Sequence, residues 1–284
     1  MERATVIDRQ ESSLTRDTAD MSTYRLTALK MGETSVPNAE IYWMTKLTGW
    51  EPLTFWAFLI QSEQHTILLN TGFPQDFSAL HKHWTTWAKS ATGEEGHEPI
   101  VKEENWIVHA LRSKNLAPDQ IDHVFVTPLT SYTTGGLDQF SKATICLSRH
   151  GWIDFHAPDP EIPQLPRHII FPDHVLQWLV STAASRLRLL PDEPTEILPG
   201  ITSWFCGAHH RSSMCFLVQT KQGKVALTDA IFKYGNVEEN IPLGLSESLE
   251  EQYRLYAKLQ READVVVPLY DPRVIERHPE GIIG

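Results

Sequence analysis

The order of elements along this sequence predicts an α/β fold in which two β-rich layers pack face to face and helices cover the outside. Three observations carry that reading. Short apolar runs, rich in β-branched and aromatic residues, fall into two groups, one in the N-terminal half and one from residue 196 onward. Amphipathic helical stretches follow each group. Gly, Pro and Asn turns separate the runs. A sheet or helix with one apolar face has to bury it against another layer, and this order does so as a sandwich of two sheets flanked by helices.

Taken in order, Tyr24–Met31 alternates as a strand does. Leu53–Gln61 and Thr66–Asn70 are β-rich runs joined at Ser62–His65 as a hairpin. Phe77–Ala91 is helical in composition, and Glu94–Glu98 is an acidic loop. Ile107, Ala110 and Leu111 give Asn105–Lys114 a helix face. Ile121–Thr127 and Ala143–Leu147 are strands, and the Pro-rich stretch His156–Arg167 is a surface excursion. His174–Leu190 carries Val175, Leu176, Leu179, Val180 and Ala183 on one side and is expected as one amphipathic helix. Glu196–Leu198, Ile201–Cys206, Met214–Thr220 and Lys224–Thr228 are strands with turns at Gly200 and Gly223. Ser246–Glu262 is a helix with Leu249, Tyr253, Tyr256 and Leu259 on a shared face, and Val265–Pro268 is a last strand.

The chain has 284 residues, 41% of them hydrophobic and 21% charged, enough for a substantial core. Residues 1–22 are polar and read as a disordered tail, with either Met1 or Met21 able to serve as the start. Residues 23–284 read as a single domain. A net charge of −11 disfavours nucleic acid and a polybasic membrane contact. Three cysteines with no CxxC pair fit a reducing compartment, so a cytoplasmic location is expected. The expected partner is a small molecule, and the sequence allows a homodimer.

Four segments carry a resemblance. Thr66-Ile-Leu-Leu-Asn70-Thr71-Gly72 matches a strand ending in Asp-Thr-Gly, with Asn70 in place of the Asp. Thr127-Pro128-Leu129-Thr130-Ser131-Tyr132-Thr133-Thr134-Gly135-Gly136 matches the flanks of Thr-His-x-His-x-Asp-His-x-Gly-Gly. Here Pro128, Thr130 and Thr133 stand at the histidines and Tyr132 at the aspartate. Gly207-Ala208-His209-His210 matches a Gly-His-Thr turn. Ala208 sits at the His position, or His209 does if the register slips by one. Gly223–Ala230 matches a strand ending in Gly-Asp-Ala, which keeps Asp229, and Val265–Pro272 has Tyr270 where His-Asp-Pro would place a histidine. In these segments the chain resembles the metallo-β-lactamase superfamily, in particular its lactonase-like branch. The resemblance implies an αββα sandwich of two mixed sheets flanked by helices.

It also implies a changed site. A dinuclear zinc centre needs imidazole and carboxylate donors at about 2.0–2.2 Å, and proline, neutral hydroxyls and neutral phenols do not supply them. No metal or other cofactor is therefore expected. What remains is a concavity with Asp229, His209, His210, Tyr132, Tyr270, Thr130 and Thr133 as candidate catalytic groups. Asp229 could act as a general base, the histidines as proton shuttles and the phenols as donors to a substrate oxygen. Asp229 reads equally well as a cap on strand-end amides, and the two phenols as fillers of the volume the metals would occupy. By the same resemblance Tyr42, Trp43 and Trp50 wall an apolar pocket, with Phe232 also a substrate contact, and Arg211 pairs with a ligand carboxylate; the three aromatics read as well as core residues of a hairpin. Cys206 reads as a small buried hydrophobe rather than a nucleophile.

Three functions are compatible with these residues. One is a metal-independent enzyme for a small, partly apolar molecule, by lactone or ester hydrolysis or by acid–base isomerisation, elimination or decarboxylation. Another is a ligand-binding or regulatory protein without catalysis. The third is a metal-dependent hydrolase with a displaced site.

Overall fold

A computed structural model describes residues 23–284. The tail expected over residues 1–22 lies outside the described residues. Twelve strands form two sheets. They are β1 (Arg25–Pro37), β2 (Trp50–Gln61), β3 (Thr66–Leu69), β4 (His123–Phe125), β5 (Thr144–Ser148), β6 (Leu187–Leu190), β7 (Thr195–Leu198), β8 (Ile201–Phe205), β9 (Met214–Thr220), β10 (Gly223–Thr228), β11 (Val265–Pro268) and β12 (Ile282–Ile283). One sheet has the order β12-β1-β2-β3-β4-β5-β6 and the other β11-β10-β9-β8-β7. Both are mixed. In the first, β3 through β6 run parallel, while β1, β2 and β12 are antiparallel to their neighbours. In the second, β10 and β11 are parallel and the rest antiparallel. The expected αββα sandwich is what the chain forms.

The sheets meet through a shared apolar core. Phe125 on β4 stacks on Phe216 of β9 with ring centroids 5.1 Å apart. A smaller cluster joins the outer face of the second sheet, at Trp204, Cys215 and Leu217, to Leu255, Tyr256 and Leu259 of the helix Leu249–Glu262. Ser248 caps that helix, its hydroxyl accepting from the Glu251 amide. The helix buries Gln252 and leaves Tyr253 exposed, against the expected face. Gln252 can sit inside because its amide donates to the Ala230 carbonyl and to the Tyr256 hydroxyl.

Two further expectations change. The first strand runs on to Pro37, past an irregularity between Lys30 and Gly32. The long helix expected over His174–Leu190 stops at Val180, and Leu187–Leu190 is edge strand β6, paired with β5. Leucines on one side of a helical projection also fit a strand when a tertiary partner is waiting. Arg186 fixes the turn between the two, donating to the Phe140 carbonyl at 3.0 Å.

The topology sets the position of the site. The C-terminal ends of β3, β4, β10 and β11 and the turn before β9 come together at one edge of the sandwich. Asn70, Thr127, Asp229, Tyr270 and Ser213 sit there.

Candidate active site

The floor of this edge is a closed polar network. Asn70 adopts φ 66°, and its side-chain amide donates to the Thr127 carbonyl at 2.9 Å while its oxygen accepts from the Thr127 amide at 2.9 Å. An aspartate could make only the second of these bonds. Thr71 donates to the Thr133 carbonyl at 2.8 Å and accepts from the Gly136 amide at 3.1 Å. Gly135 is required by packing, because a Cβ there would lie 2.1 Å from the Pro74 nitrogen. The glycine pair of the motif therefore serves the turn whatever the turn carries.

Asp229 is fully buried at the end of β10. Its Oδ1 accepts from the Thr127 hydroxyl, which in turn accepts from the Met214 amide at 2.8 Å. Its Oδ2 accepts from the Ser213 hydroxyl at 2.5 Å and faces His209 Nδ1 at 3.0 Å. Burial, with the adjacent His210, pushes His209 down to about 4, against the pull of Asp229. At pH 7 the imidazole is therefore neutral, with its proton on Nδ1 toward the carboxylate and Nε2 left as an acceptor on the opposite edge.

Above this floor is a cavity of about 540 Å³. His209 is on its wall and Asp229 is behind that wall. A chain of rings continues from His209 to Phe232 (4.8 Å), Tyr270 (4.8 Å) and Tyr132 (6.1 Å). Burial raises both phenols well above their ordinary value, so they stay protonated as donors. Tyr270 Oη is buried and has no hydrogen-bond partner among the described residues.

The expected site residues divide. Thr130, Tyr132, His209, His210, Phe232, Tyr270 and Trp50 all line the cavity. Thr133 does not. Its hydroxyl donates to the Pro128 carbonyl at 2.5 Å and the Thr130 carbonyl at 2.7 Å, clamping its own turn. Asp229 does not line the cavity; its Oδ2 faces His209, which does. Arg211 reaches the cavity, but Glu247 and Glu251 hold its guanidinium at 2.7 and 2.6 Å, so it is not a free partner for a carboxylate. Tyr42 is buried away from the cavity beneath Lys46, and Trp43 is on the surface. Cys206 is buried in the smaller apolar cluster. Trp84, Trp87, Phe55 and Glu40 also line the cavity; Trp84 and Trp87 read from the sequence as packing residues on a helix, and the structure puts them on the cavity wall. The spacing of Trp84 and Trp87, three residues apart on the helix Ser78–Thr92, was the available signal, since residues so spaced share a helix face.

A pair of metal ions of the kind the family resemblance suggests does not fit these residues. Among the described residues, no group of three or more His, Cys, Asp or Glu side chains comes together to hold a metal ion, at this edge or elsewhere. Both oxygens of Asp229 are already engaged by hydroxyls and an imidazole. Among the described residues, no helix is long and apolar enough to cross a membrane.

No family model matches the chain. An N-acyl homoserine lactonase of Bacillus cereus is 25% identical over 224 residues, covering 75% of this chain and 80% of that protein. One from Bacillus thuringiensis is 24% identical over 198 residues, covering 67% and 69%. Among solved structures, an N-acyl homoserine lactone hydrolase with N-hexanoyl-L-homoserine bound at its catalytic metal centre matches with a TM-score of 0.71 and 19% identity, covering 90% of this chain and 97% of that one. A dizinc quorum-quenching lactonase in complex with a product matches with a TM-score of 0.59 and 12% identity, covering 93% of each. With its two mixed sheets and outer helices, the chain has the metallo-β-lactamase fold and is similar in sequence to the lactonase-like branch of that superfamily.

Proposed function

We propose that the cavity hydrolyses a lactone or ester bond in a small, partly apolar molecule without a metal, using His209 as the proton acceptor and Asp229 to orient it. The observation that carries this is the pairing of a neutral imidazole on the cavity wall with a buried, fully hydrogen-bonded carboxylate behind it. The lactonase relatives supply the reaction class.

The chemistry follows from those positions. His209 Nε2 takes a proton from a water as its oxygen bonds to the acyl carbon. The imidazolium that forms keeps Nδ1–H on Asp229, whose charge offsets the new positive charge. The Tyr270 hydroxyl donates to the carbonyl oxygen as it becomes anionic. When the tetrahedral species collapses, the ester C–O bond breaks and the proton on Nε2 passes to the leaving alkoxide, giving a hydroxy acid from a lactone or an acid and an alcohol from an open ester.

The test is a panel of lactones and esters assayed on protein dialysed against a chelator, with metal content measured alongside. Activity is expected to survive. His209→Gln should lower kcat at least about 100-fold with KM little changed. Stoichiometric zinc with activity lost on chelation would overturn the reading.

A second reading, binding without turnover, is favoured by one feature: His209 is only 2% exposed, which leaves little room for an attacking water. If no substrate turns over while the same molecules raise the melting temperature, that reading replaces the first.

A further inference from the structure

The main cavity does not end at its aromatic wall. A second hollow of about 370 Å³ lies beyond a shared partition formed by Pro37, Glu40, Trp50, Trp87, Gly244 and Leu245. Glu40 is the charged residue in that partition. Its carboxylate accepts one hydrogen bond, from Trp87 Nε1 at 2.9 Å, and no Lys, Arg or His forms an ion pair with it among the described residues. Burial pushes this carboxyl up to about 7, the behaviour of an acid group short of donors. Trp50 is fixed on the same partition, its ring N–H donating to Glu94 at 2.8 Å and its ring packed edge-on against His97 at 4.5 Å.

The charge around the two hollows is one-sided. Asp154, Glu247 and Glu40 line the main cavity, and the one Lys or Arg among its described lining residues is Arg211, already committed to two glutamates. A ligand carboxylate would meet Glu40 and Asp154, with Glu247 already paired to Arg211, and no free cation among the described lining residues. A ligand cation would meet an under-solvated carboxylate with no counter-ion among the described residues, on a partition that Trp50 and Trp87 also line; Trp87 turns its N–H edge to Glu40, so the attraction is ion pairing with that carboxylate.

We propose that this partition binds the positively charged nitrogen of an elongated, otherwise apolar ligand, an alkylammonium in chemical class, with its apolar arm in the main cavity. This names the substrate class of the site proposed above and rests on that site's use. It does not rest on the reaction, because Glu40 takes no part in the His209–Asp229 pair.

The experiment is equilibrium binding at pH 8, read by tryptophan fluorescence and calorimetry on the whole chain. The probes are hexyltrimethylammonium, the same hexyl chain ending in an uncharged tert-butyl group, and octanoate. The ammonium should bind at least about tenfold more tightly than the uncharged probe, and octanoate should bind weakest. Glu40→Gln should erase the preference while changing affinity for the uncharged probe less than about twofold. A preference that is absent in the native chain, or that survives Glu40→Gln, overturns the proposal. If Glu40→Gln does not fold, the native chain is measured at about pH 5.5 as well as at pH 8: protonation of Glu40 should remove the preference for the ammonium, and a preference unchanged between the two overturns the proposal. None of these readings needs turnover, so a chain that binds ammonium but hydrolyses nothing refutes the reaction and leaves this site standing.

Discussion

Two carboxylates border the same cavity and live in opposite conditions. Asp229 is sealed beneath the wall and engages Thr127, Ser213 and His209. Glu40, half-buried in the partition, has a single donor in Trp87. A buried charge with its hydrogen bonds complete is a fixed part of the protein. A desolvated charge with its bonds incomplete is a place where something else can bind. The two differ in burial and also in the count of donors, three for Asp229 and one for Glu40.

The comparison breaks most sharply at Asp229. Asp229→Asn keeps the shape but turns an amide N–H toward groups that already donate. Unfolding free energy from urea titration should fall by about 3 kcal/mol. A loss no larger than that of a surface substitution would mean the network does not hold the floor together. Thr127→Val removes one donor from Asp229 and strands the Met214 amide, so a smaller loss of about 2 kcal/mol is expected in the same titration.

The effects that separate the two regions most cleanly are in the pH dependence of the melting temperature. His209 is held at about 4, below its ordinary 6.5. As pH falls from about 6.5 to about 4 the unfolded chain takes up that proton first, so stability drops over this window. His209→Gln should remove that part of the slope. Glu40 is held at about 7, above its ordinary 4.5. As pH rises from about 4.5 to about 7 the unfolded chain releases that proton first, so this group costs stability toward higher pH. Glu40→Gln should remove the opposing slope. If both variants bend the curve in the same direction, the assignment of these two environments is wrong.

Much of the fold and part of the floor were legible in the sequence. Asp229 ends a run of alternating residues behind a glycine turn, and Tyr132 and Tyr270 sit in recognisable loops. Thr127 could be seen as part of a motif but not as a donor to Asp229, because that bond joins residues 102 positions apart. Ser213 carries no motif of its own, and its bond to Asp229 forms only when β9 and β10 pair. Glu40 was invisible: it belongs to a helix of four residues, Asn38–Ile41, too short to show a period. The stretch of β6 was absorbed into the helix that precedes it because its apolar residues continue the run, and the strand it pairs with lies 42 residues earlier.

Asn70 has a consequence for anyone redesigning this protein. Its amide is a two-way clasp between β3 and the loop after β4. Replacing it with aspartate, as a first step toward installing a metal, would press an anionic oxygen against the Thr127 carbonyl before any cation was there to draw it away. That first intermediate would be less stable than the protein it started from. The clasp therefore guards the floor at its first step: Asn70 and whatever would draw the new carboxylate away have to change together.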